Sequence, residues 1–118
     1  MAEADWQFSL ASVAATLASR PNGPHFDYPL HHGTMKVGLY APRGSDPQQP
    51  HTKDELYIVV SGQGEFVKGE ERRAFKPQDV LFVEAGAVHR FENFTDDFST
   101  WVIFWGPEGG ERMTPVGA

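Results

Sequence analysis

Two short stretches of the sequence bring together residue types that bind metal ions. His51 and Glu55 stand four residues apart in "QQPHTKDELYIVVSG" (48–62), at the entrance to a strongly apolar run, and His89 follows the apolar stretch "VLFVEAG" (80–86). Two neutral imidazoles and one carboxylate form a borderline set of donors, which suits Fe, Mn, Ni, Co or Zn and leaves coordination positions open. A His-x-x-x-Glu pair is common by chance, and a single histidine is more often hydrogen-bonded or on the surface than a ligand. The residues therefore predict a divalent transition-metal site if the fold brings all three together.

The segments around these residues read as short β-strands, in which alternate side chains share a face. Gln49 and His51 can then point the same way, on either side of Pro50, while Glu55 opens one strand and His89 opens a later one. If these faces turn inward in a closed barrel, His51, Glu55 and His89 converge on one point. A buried carboxylate without a partner is costly, and a bound cation removes that cost.

Two aromatic residues lie in phase with these candidate ligands. Tyr57 comes two residues after Glu55, and Phe91 comes two residues after His89. Each therefore shares a strand face with a candidate ligand. We predict that Tyr57 and Phe91 line the pocket, where the phenol of Tyr57 can donate a hydrogen bond to a substrate.

The rest of the chain reads as one helix followed by strands and turns. "SLASVAATLAS" (9–19) puts its apolar residues on one face and has Ser9 to cap its start. Strands are predicted at 34–41, 55–62, 80–86, 88–94 and 98–106, with a hairpin at 64–75. So many short strands with so little helix predict an all-β fold, either an antiparallel sandwich or a small barrel.

The predicted elements divide the chain into three parts. The first is an N-terminal helix and arm (1–33), in which His31 and His32 are assigned to a surface loop. The second is the β-barrel (34–106), and the third is a C-terminal tail (107–118). No internal repeat or linker divides the β region, so we predict one domain.

Charge and composition exclude several classes of partner. The chain has 118 residues, a formal net charge of −6 and no cysteine. It has no basic stripe to neutralise phosphates, so we expect neither nucleic acid nor anionic membrane as a partner. Without cysteine there are no disulfides and no thiolate ligands. Glu3 and Asp5 stand where a secretory signal would carry Lys or Arg, so we expect a cytoplasmic protein.

The two metal-binding stretches resemble the two sequence motifs of the cupin superfamily, in its small single-domain, conserved-barrel form. In "HTKDELYIVVSG" the second histidine, the glutamate and the closing glycine of the first motif are matched by His51, Glu55 and Gly62. In "QDVLFVEAGAVHRFEN" the last three anchors of the second motif are matched by Gly86, His89 and Asn93. The resemblance covers about residues 34–105 and implies a cupin-type antiparallel β-barrel or jelly roll after a short N-terminal helix. It also implies that His51, Glu55 and His89 are metal ligands.

Three positions depart from the family pattern. Gln49 replaces the leading histidine of the first motif, so three histidines are not available, and the amide oxygen of Gln49 becomes a candidate fourth donor. Gln78 replaces the first glycine of the second motif, and Glu84 replaces its proline. Asn93, by resemblance, orders the backbone rather than contacting substrate.

The resemblance implies a metal-binding protein and leaves its chemistry open between two main alternatives. The first is a metal-dependent enzyme acting on a small organic molecule in the barrel, with a dioxygenase slightly favoured over an isomerase or lyase. The second is a non-catalytic module that binds a small molecule or a metal. A homodimer is also expected, because the last strand (98–106) is aromatic on both faces and one face can pack against a second subunit.

Overall fold

The computed structural model describes residues 6–112 and contains one helix, α1 (Leu10–Ala18). Ser9 caps it, since its side-chain oxygen accepts a hydrogen bond from the backbone N–H of Ser12. The apolar face of the helix buries Val13 and Leu17 against Leu39, next to Trp101. The predicted helix is therefore confirmed, and it covers the outside of the larger sheet.

Eight strands follow the helix in the described part of the chain. They are β1 (Phe26–His32), β2 (Met35–Tyr40), β3 (Asp54–Ser61), β4 (Gly64–Lys68), β5 (Glu71–Phe75), β6 (Val80–Val83), β7 (His89–Glu92) and β8 (Ser99–Trp105). All their pairings are antiparallel, in a five-stranded sheet of order β1-β2-β8-β3-β6 and a three-stranded sheet of order β5-β4-β7. The all-β prediction is confirmed. The two sheets do not join into one ring, so the expected closed barrel is corrected to two separate sheets.

The first strand, β1, was expected to be part of an arm. It pairs with β2 at the edge of the five-stranded sheet, and its register shifts between Asp27 and Leu30. Pro29 lies at this irregularity, which an edge strand tolerates because its free edge needs no ladder hydrogen bonds. The backbone of β1 comes so close to Gly38 that a Cβ there would lie 2.0 Å from the carbonyl oxygen of Asp27. His31 and His32 are thus strand residues: their expected exposure is confirmed, and the expected loop is wrong.

Aromatic side chains fill most of the space between the sheets. Phe91 lies at the centre of this core, with its ring centroid 4.9 Å from that of Tyr57 and 4.7 Å from that of Phe98. Phe66 and Phe75 also pack against Phe91. The buried cluster is completed by the aliphatic residues Val59, Val83 and Val102 together with Phe104.

Between Trp6 and Arg112, two residues other than glycine have a backbone in the left-handed region. Asn93 has φ 51°, and its side-chain amide donates a hydrogen bond to Oε1 of Glu65 at 2.7 Å. Asparagine adopts this conformation more readily than most residues. Gln78 has φ 73°, at the position where the cupin motif carries glycine. The backbone of this turn therefore keeps the left-handed conformation that glycine adopts readily, although the residue is a glutamine.

Within residues 6–112, no helix is long and apolar enough to cross a membrane. The cytoplasmic location expected from the N-terminal charges stays a prediction. Of the expected arm and tail, residues 1–5 and 113–118 lie outside the described residues.

Candidate metal centre

The three candidate ligands come from one strand start, one strand interior and one loop. Glu55 is the second residue of β3, where it pairs with Val83 on one side and Phe104 on the other. His89 is the first residue of β7, in the opposite sheet. His51 precedes β3, and its carbonyl oxygen accepts a hydrogen bond from Gly86 N–H at 2.7 Å. That bond ties the loop carrying His51 to the turn that leads into His89.

Asp54 fixes the same corner of the molecule. Its Oδ1 accepts a hydrogen bond from the backbone N–H of Ala85 at 3.0 Å, and its Oδ2 accepts one from that of Glu111 at 2.8 Å. Asp54 itself is buried. Since it neighbours Glu55 in sequence and points to the opposite face of the strand, it anchors the turn before His89 without entering the site.

The side chains of His51, Glu55 and His89 meet, as predicted. Oε1 of Glu55 lies 3.1 Å from Nε2 of His89 and 3.8 Å from Nε2 of His51. One ligand atom from each residue lies within 4.8 Å of the others, and no second such group occurs in the described part of the chain. Two atoms that each lie about 2.1 Å from one ion are about 3.0–3.4 Å apart at octahedral or tetrahedral angles. The three side chains therefore fit a transition-metal ion with small adjustments.

The hydrogen-bond partners of His89 decide which of its nitrogens carries the proton. Its Nδ1 lies 2.8 Å from the carbonyl oxygen of Ala87, which can only accept, so Nδ1 carries the hydrogen. In the neutral ring Nε2 then presents a lone pair to the carboxylate oxygen of Glu55. Both atoms are buried and neither has a hydrogen-bond partner, although 3.1 Å separates them. Two facing lone pairs in a buried site require a positive charge between or beside them, which is either a proton on Nε2 of His89 or a metal ion.

The two histidines respond differently to their surroundings. Burial lowers the pKa of His51 below its ordinary value, and the charges of His89 and Lys36 add to that effect while Glu55 opposes it. Burial also acts to lower the pKa of His89, but the contacts with Glu55 and the Ala87 carbonyl outweigh it and raise that pKa. Without a metal, His89 is thus the histidine that holds a proton beside Glu55. A metal ion must displace that proton to bind.

Gln49, the predicted fourth donor, does not lie beside the ligands, whereas its neighbour Gln48 does. Gln49 is exposed and does not line the cavity beside the ligands. Gln48 is half-buried, and its Oε1 lies 3.2 Å from Nε2 of His51 and 3.0 Å from the hydroxyl of Tyr57. The reason is local: residues 41–53 form no strand, so the alternation that paired Gln49 with His51 does not apply there.

Asp46 orients the amide of Gln48. The buried Asp46 carboxylate accepts hydrogen bonds from the side-chain N–H of Gln48, from the hydroxyl of Tyr40 and from the backbone N–H of Phe91 at 2.8 Å. Because the amide nitrogen of Gln48 faces Asp46, its oxygen faces His51 and Tyr57. No periodic pattern marks Asp46 or Gln48, because both lie in the proline-punctuated loop.

A cavity of about 400 Å³ opens beside the three ligands. His51, Glu55 and Tyr57 line it, together with aromatic residues and Lys36 of β2. Tyr57 thus lines the cavity as predicted, and burial, with Glu55 nearby, raises the pKa of its phenol, so that the hydroxyl stays a donor. Phe91 does not line it: strand alternation indicated the correct face, but Phe91 lies deeper, in the aromatic core. The cavity is also lined by Lys36, Tyr28 and Tyr40, which were not predicted from the sequence as cavity residues.

Comparisons with known proteins agree with this fold and site. The family model described as "Cupin domain" matches residues 36–105. The uncharacterized protein SCO3923 of Streptomyces coelicolor is 38% identical over 103 residues, which is 86% of this chain and 96% of that protein. The chain therefore belongs to the cupin family.

Two solved structures show the same fold. The cupin 2 conserved barrel domain protein from Salinispora arenicola CNS-205 matches with a TM-score of 0.56 and 26% identity, over 68% of this chain and 70% of that one. KdgF from Halomonas sp. matches with a TM-score of 0.62 and 16% identity, over 74% of this chain and 85% of that one. At 16% identity, the similarity to KdgF shows a shared fold alone.

Proposed function

We propose that the chain is a metal-dependent enzyme that acts on a small organic molecule in the cavity beside His51, Glu55 and His89. The observation that carries the proposal is the pair of buried, unpartnered atoms, Oε1 of Glu55 and Nε2 of His89, that face each other at 3.1 Å. A divalent ion next to His51 would satisfy both atoms. Fe, Mn, Ni, Co and Zn all accept this donor set.

Dioxygenase chemistry is our first choice for the reaction, ahead of isomerase or lyase chemistry. Two histidines and one carboxylate with open positions are the donor set of non-haem iron oxygenases. When bound, a redox-active ion supplies dioxygen chemistry, whereas a redox-silent ion supplies Lewis acidity. The choice of a dioxygenase over an isomerase or lyase rests on this donor set alone.

The other cavity residues support substrate binding. The ring of Phe104 packs against both His51 and Tyr28, so an apolar wall stands next to the candidate ligands. Burial raises the pKa of the Tyr28 hydroxyl, so it remains a proton donor, and it has no hydrogen-bond partner among the described residues. It is therefore available to a substrate, while the hydroxyl of Tyr57 is held by Gln48.

Metal uptake tests the proposal directly. The protein is stripped with EDTA, reloaded with Fe(II), Mn(II) or Zn(II), and its metal content measured by mass spectrometry. Parent protein should retain about one equivalent, and Glu55→Gln should retain much less, because it removes the only negative ligand. Glu84→Gln is the matched control, because Glu84 is exposed and pairs with Lys68 at 2.7 Å, away from the site. Parent protein that takes up no metal contradicts the proposal.

Oxygen uptake then distinguishes the reaction types. Fe(II)-loaded protein is screened against small organic molecules with an oxygen electrode, and products are analysed in parallel. Oxygen consumption that depends on both Fe(II) and an added molecule supports a dioxygenase. Product formation without oxygen consumption contradicts the dioxygenase and supports an isomerase or lyase.

A non-catalytic binding module is the second candidate, and one observation favours it. Among the described residues that line the cavity, Glu55 is the only carboxylate. If Glu55 is a metal ligand, no carboxylate remains among the described lining residues to move a proton, and Asp46, which lies behind Tyr40 and Gln48, already accepts hydrogen bonds from both. Metal-loaded protein that binds a small molecule without converting it supports this candidate.

The expected homodimer also stays a proposal. On the outer face of the five-stranded sheet, Phe82 packs near Trp105, and both Val80 and Phe82 are exposed. A second copy of the chain would cover these apolar side chains, which Lys68 borders with its Nζ 5.3 Å from the ring of Phe82. Size-exclusion chromatography with light scattering should show a dimer for the parent and a monomer for Phe82→Glu. A monomeric parent contradicts the proposal.

A further inference from the structure

Lys36 is half-buried and lines the cavity, but it is not one of the candidate metal ligands. It lies on β2, across from Phe104 of β8, which in turn pairs with Glu55 of β3. Lys36, Phe104 and Glu55 therefore form a row on the inner face of three adjacent strands. With about 4.8 Å between neighbouring strands, the backbones of Lys36 and Glu55 are about 10 Å apart. Lys36 and the candidate ligands His51 and Glu55 thus line the same cavity.

Aromatic rings hold the Lys36 ammonium group at the cavity wall. Its Nζ lies 4.2 Å from the ring centroid of Tyr28 and 5.3 Å from that of Phe104. These distances are typical of cation–π contacts, which leave the N–H donors free to bind another group. Lys36 has no ion pair and no side-chain hydrogen bond with any other described residue. A half-buried ammonium group in such a place lacks a counter-charge.

The charge around the cavity is less negative than that of the whole chain, although the buried Asp46 carboxylate lies directly behind Tyr40 and Gln48 of its wall. The chain has a formal net charge of −6, yet Glu55 is the only carboxylate among the described residues that line the cavity. A neighbouring depression shares Lys36 and His51 with the cavity and adds Lys53 and His31. With a divalent ion beside Glu55, the region is cationic. Such a region attracts and holds anions.

We propose that the cavity takes a small organic carboxylate with an apolar body, whose carboxylate group pairs with Lys36; this inference rests on the proposed metal-dependent function. The apolar body fits the remaining walls, which are formed by Phe26, Tyr28, Pro42, Pro47 and Phe104. A phosphate dianion fits less well, because Lys36 is the only lysine or arginine among the described residues that line the cavity, and it supplies one positive charge. Lys36 thereby determines specificity and is not a metal ligand.

The test compares probes of the same shape and different charge. Isotope-labelled, zinc-loaded protein is titrated with benzoate and with benzamide, and dissociation constants are taken from amide chemical shifts, which remain measurable for millimolar binders. Phenylacetate and phenylacetamide form a second pair. The parent should bind each carboxylate at least about tenfold more tightly than its amide. Equal affinities, or no binding of the carboxylates up to about 20 mM, overturn the inference.

Variants assign the preference to one side chain. Lys36→Met keeps the length and apolar contacts and should reduce the preference to less than about threefold, whereas Lys36→Arg should retain it. Lys76→Met is the matched control, because Lys76 is exposed and pairs with Asp79 at 2.9 Å, away from the cavity. The same spectra report whether each variant is folded, and Lys36→Gln replaces Lys36→Met if that variant is not. A preference that survives both neutral substitutions overturns the inference.

Zinc content, measured on the same samples, separates this inference from the proposed function. Lys36→Met should hold as much zinc as the parent. Zinc uptake without a carboxylate preference contradicts the inference alone. A Lys36-dependent preference in protein that takes up no zinc supports the inference and contradicts the metal site.

Discussion

The substitution Glu55→Gln should change stability in opposite directions with and without metal. In metal-free protein above the pKa of His89, the carboxylate of Glu55 and the lone pair of His89 Nε2 face each other unpaired at 3.1 Å. A glutamine at position 55 has nearly the same shape, and its amide N–H can donate to that lone pair. Leaving a buried polar group unpaired costs about 1–3 kcal/mol, so the variant should be more stable by at least about 1 kcal/mol. For a chain of this size that is about 3–6 °C in Tm.

Metal should reverse the order. At a free metal concentration about a hundredfold above Kd, binding stabilises the parent by about 2.7 kcal/mol, or about 8–16 °C in Tm. The variant lacks the charged ligand and should gain little. The parent should therefore be the less stable protein in EDTA and the more stable one in metal. A role for Glu55 in packing alone would destabilise the variant under both conditions.

Thermal unfolding at about pH 8, well above the ordinary imidazole pKa, measures both effects. Parent, Glu55→Gln and the control Glu84→Gln are heated in EDTA and in excess Zn(II), followed by circular dichroism. The control should match the parent in both conditions. If Glu55→Gln is less stable than the parent in EDTA, or gains as much from zinc, the assignment of Glu55 as a metal ligand is refuted.

Three further predictions concern single groups of the site and fold. Because the pKa of His89 is raised, its pairing with Glu55 stabilises the metal-free protein below about pH 6.5, and this contribution is lost as pH rises through the folded-state pKa. In EDTA, the stability of the parent relative to Glu55→Gln should therefore fall between about pH 6 and 8. A stability difference that does not change with pH would contradict this prediction. Gln48→Leu should weaken metal binding about tenfold in chelator competition, because Gln48 contacts His51, while Gln49→Leu should leave it unchanged; equal effects would contradict the assignment of Gln48. Gln78→Gly should raise the free energy of unfolding by about 0.5–1 kcal/mol in urea titrations, because φ 73° strains glutamine, and a destabilised variant would contradict that reason.

The parts of the fold that could be predicted from sequence are those set by local periodicity. The helix has both a cap and an apolar face, and the strands β2 to β8 have alternating or continuous apolar runs between turn residues. The first strand was missed because "FDYPLHH" contains a proline and a histidine pair. It pairs with β2 at the edge of the sheet, where the register shifts around the proline. An alternating pattern in the sequence does not indicate such a pairing.

The site could be predicted as far as strand phase determines it. Glu55, Tyr57 and His89 are on strands, so alternation assigned their faces correctly. It did not indicate depth, which is why Phe91 was assigned to the cavity although it lies in the core. It also does not apply to the loop before β3, where the chain turns Gln48 inward and leaves Gln49 outside. Lys36 was missed because a lysine between apolar strand residues looks like a solvent-facing position, whereas here the polar side of β2 borders the cavity.

The unequal exposure of the three ligands has a kinetic consequence. The side chains of Glu55 and His89 are almost completely covered, while 34% of the His51 side chain is exposed. If a metal ion binds here, we expect it to arrive and depart past His51, on the side where the cavity opens. An organic molecule bound on that side should block the exit of the ion. Release of the ion to a chelator should therefore slow as the organic molecule is added. Loading the metal first and the organic molecule second is then the one productive order.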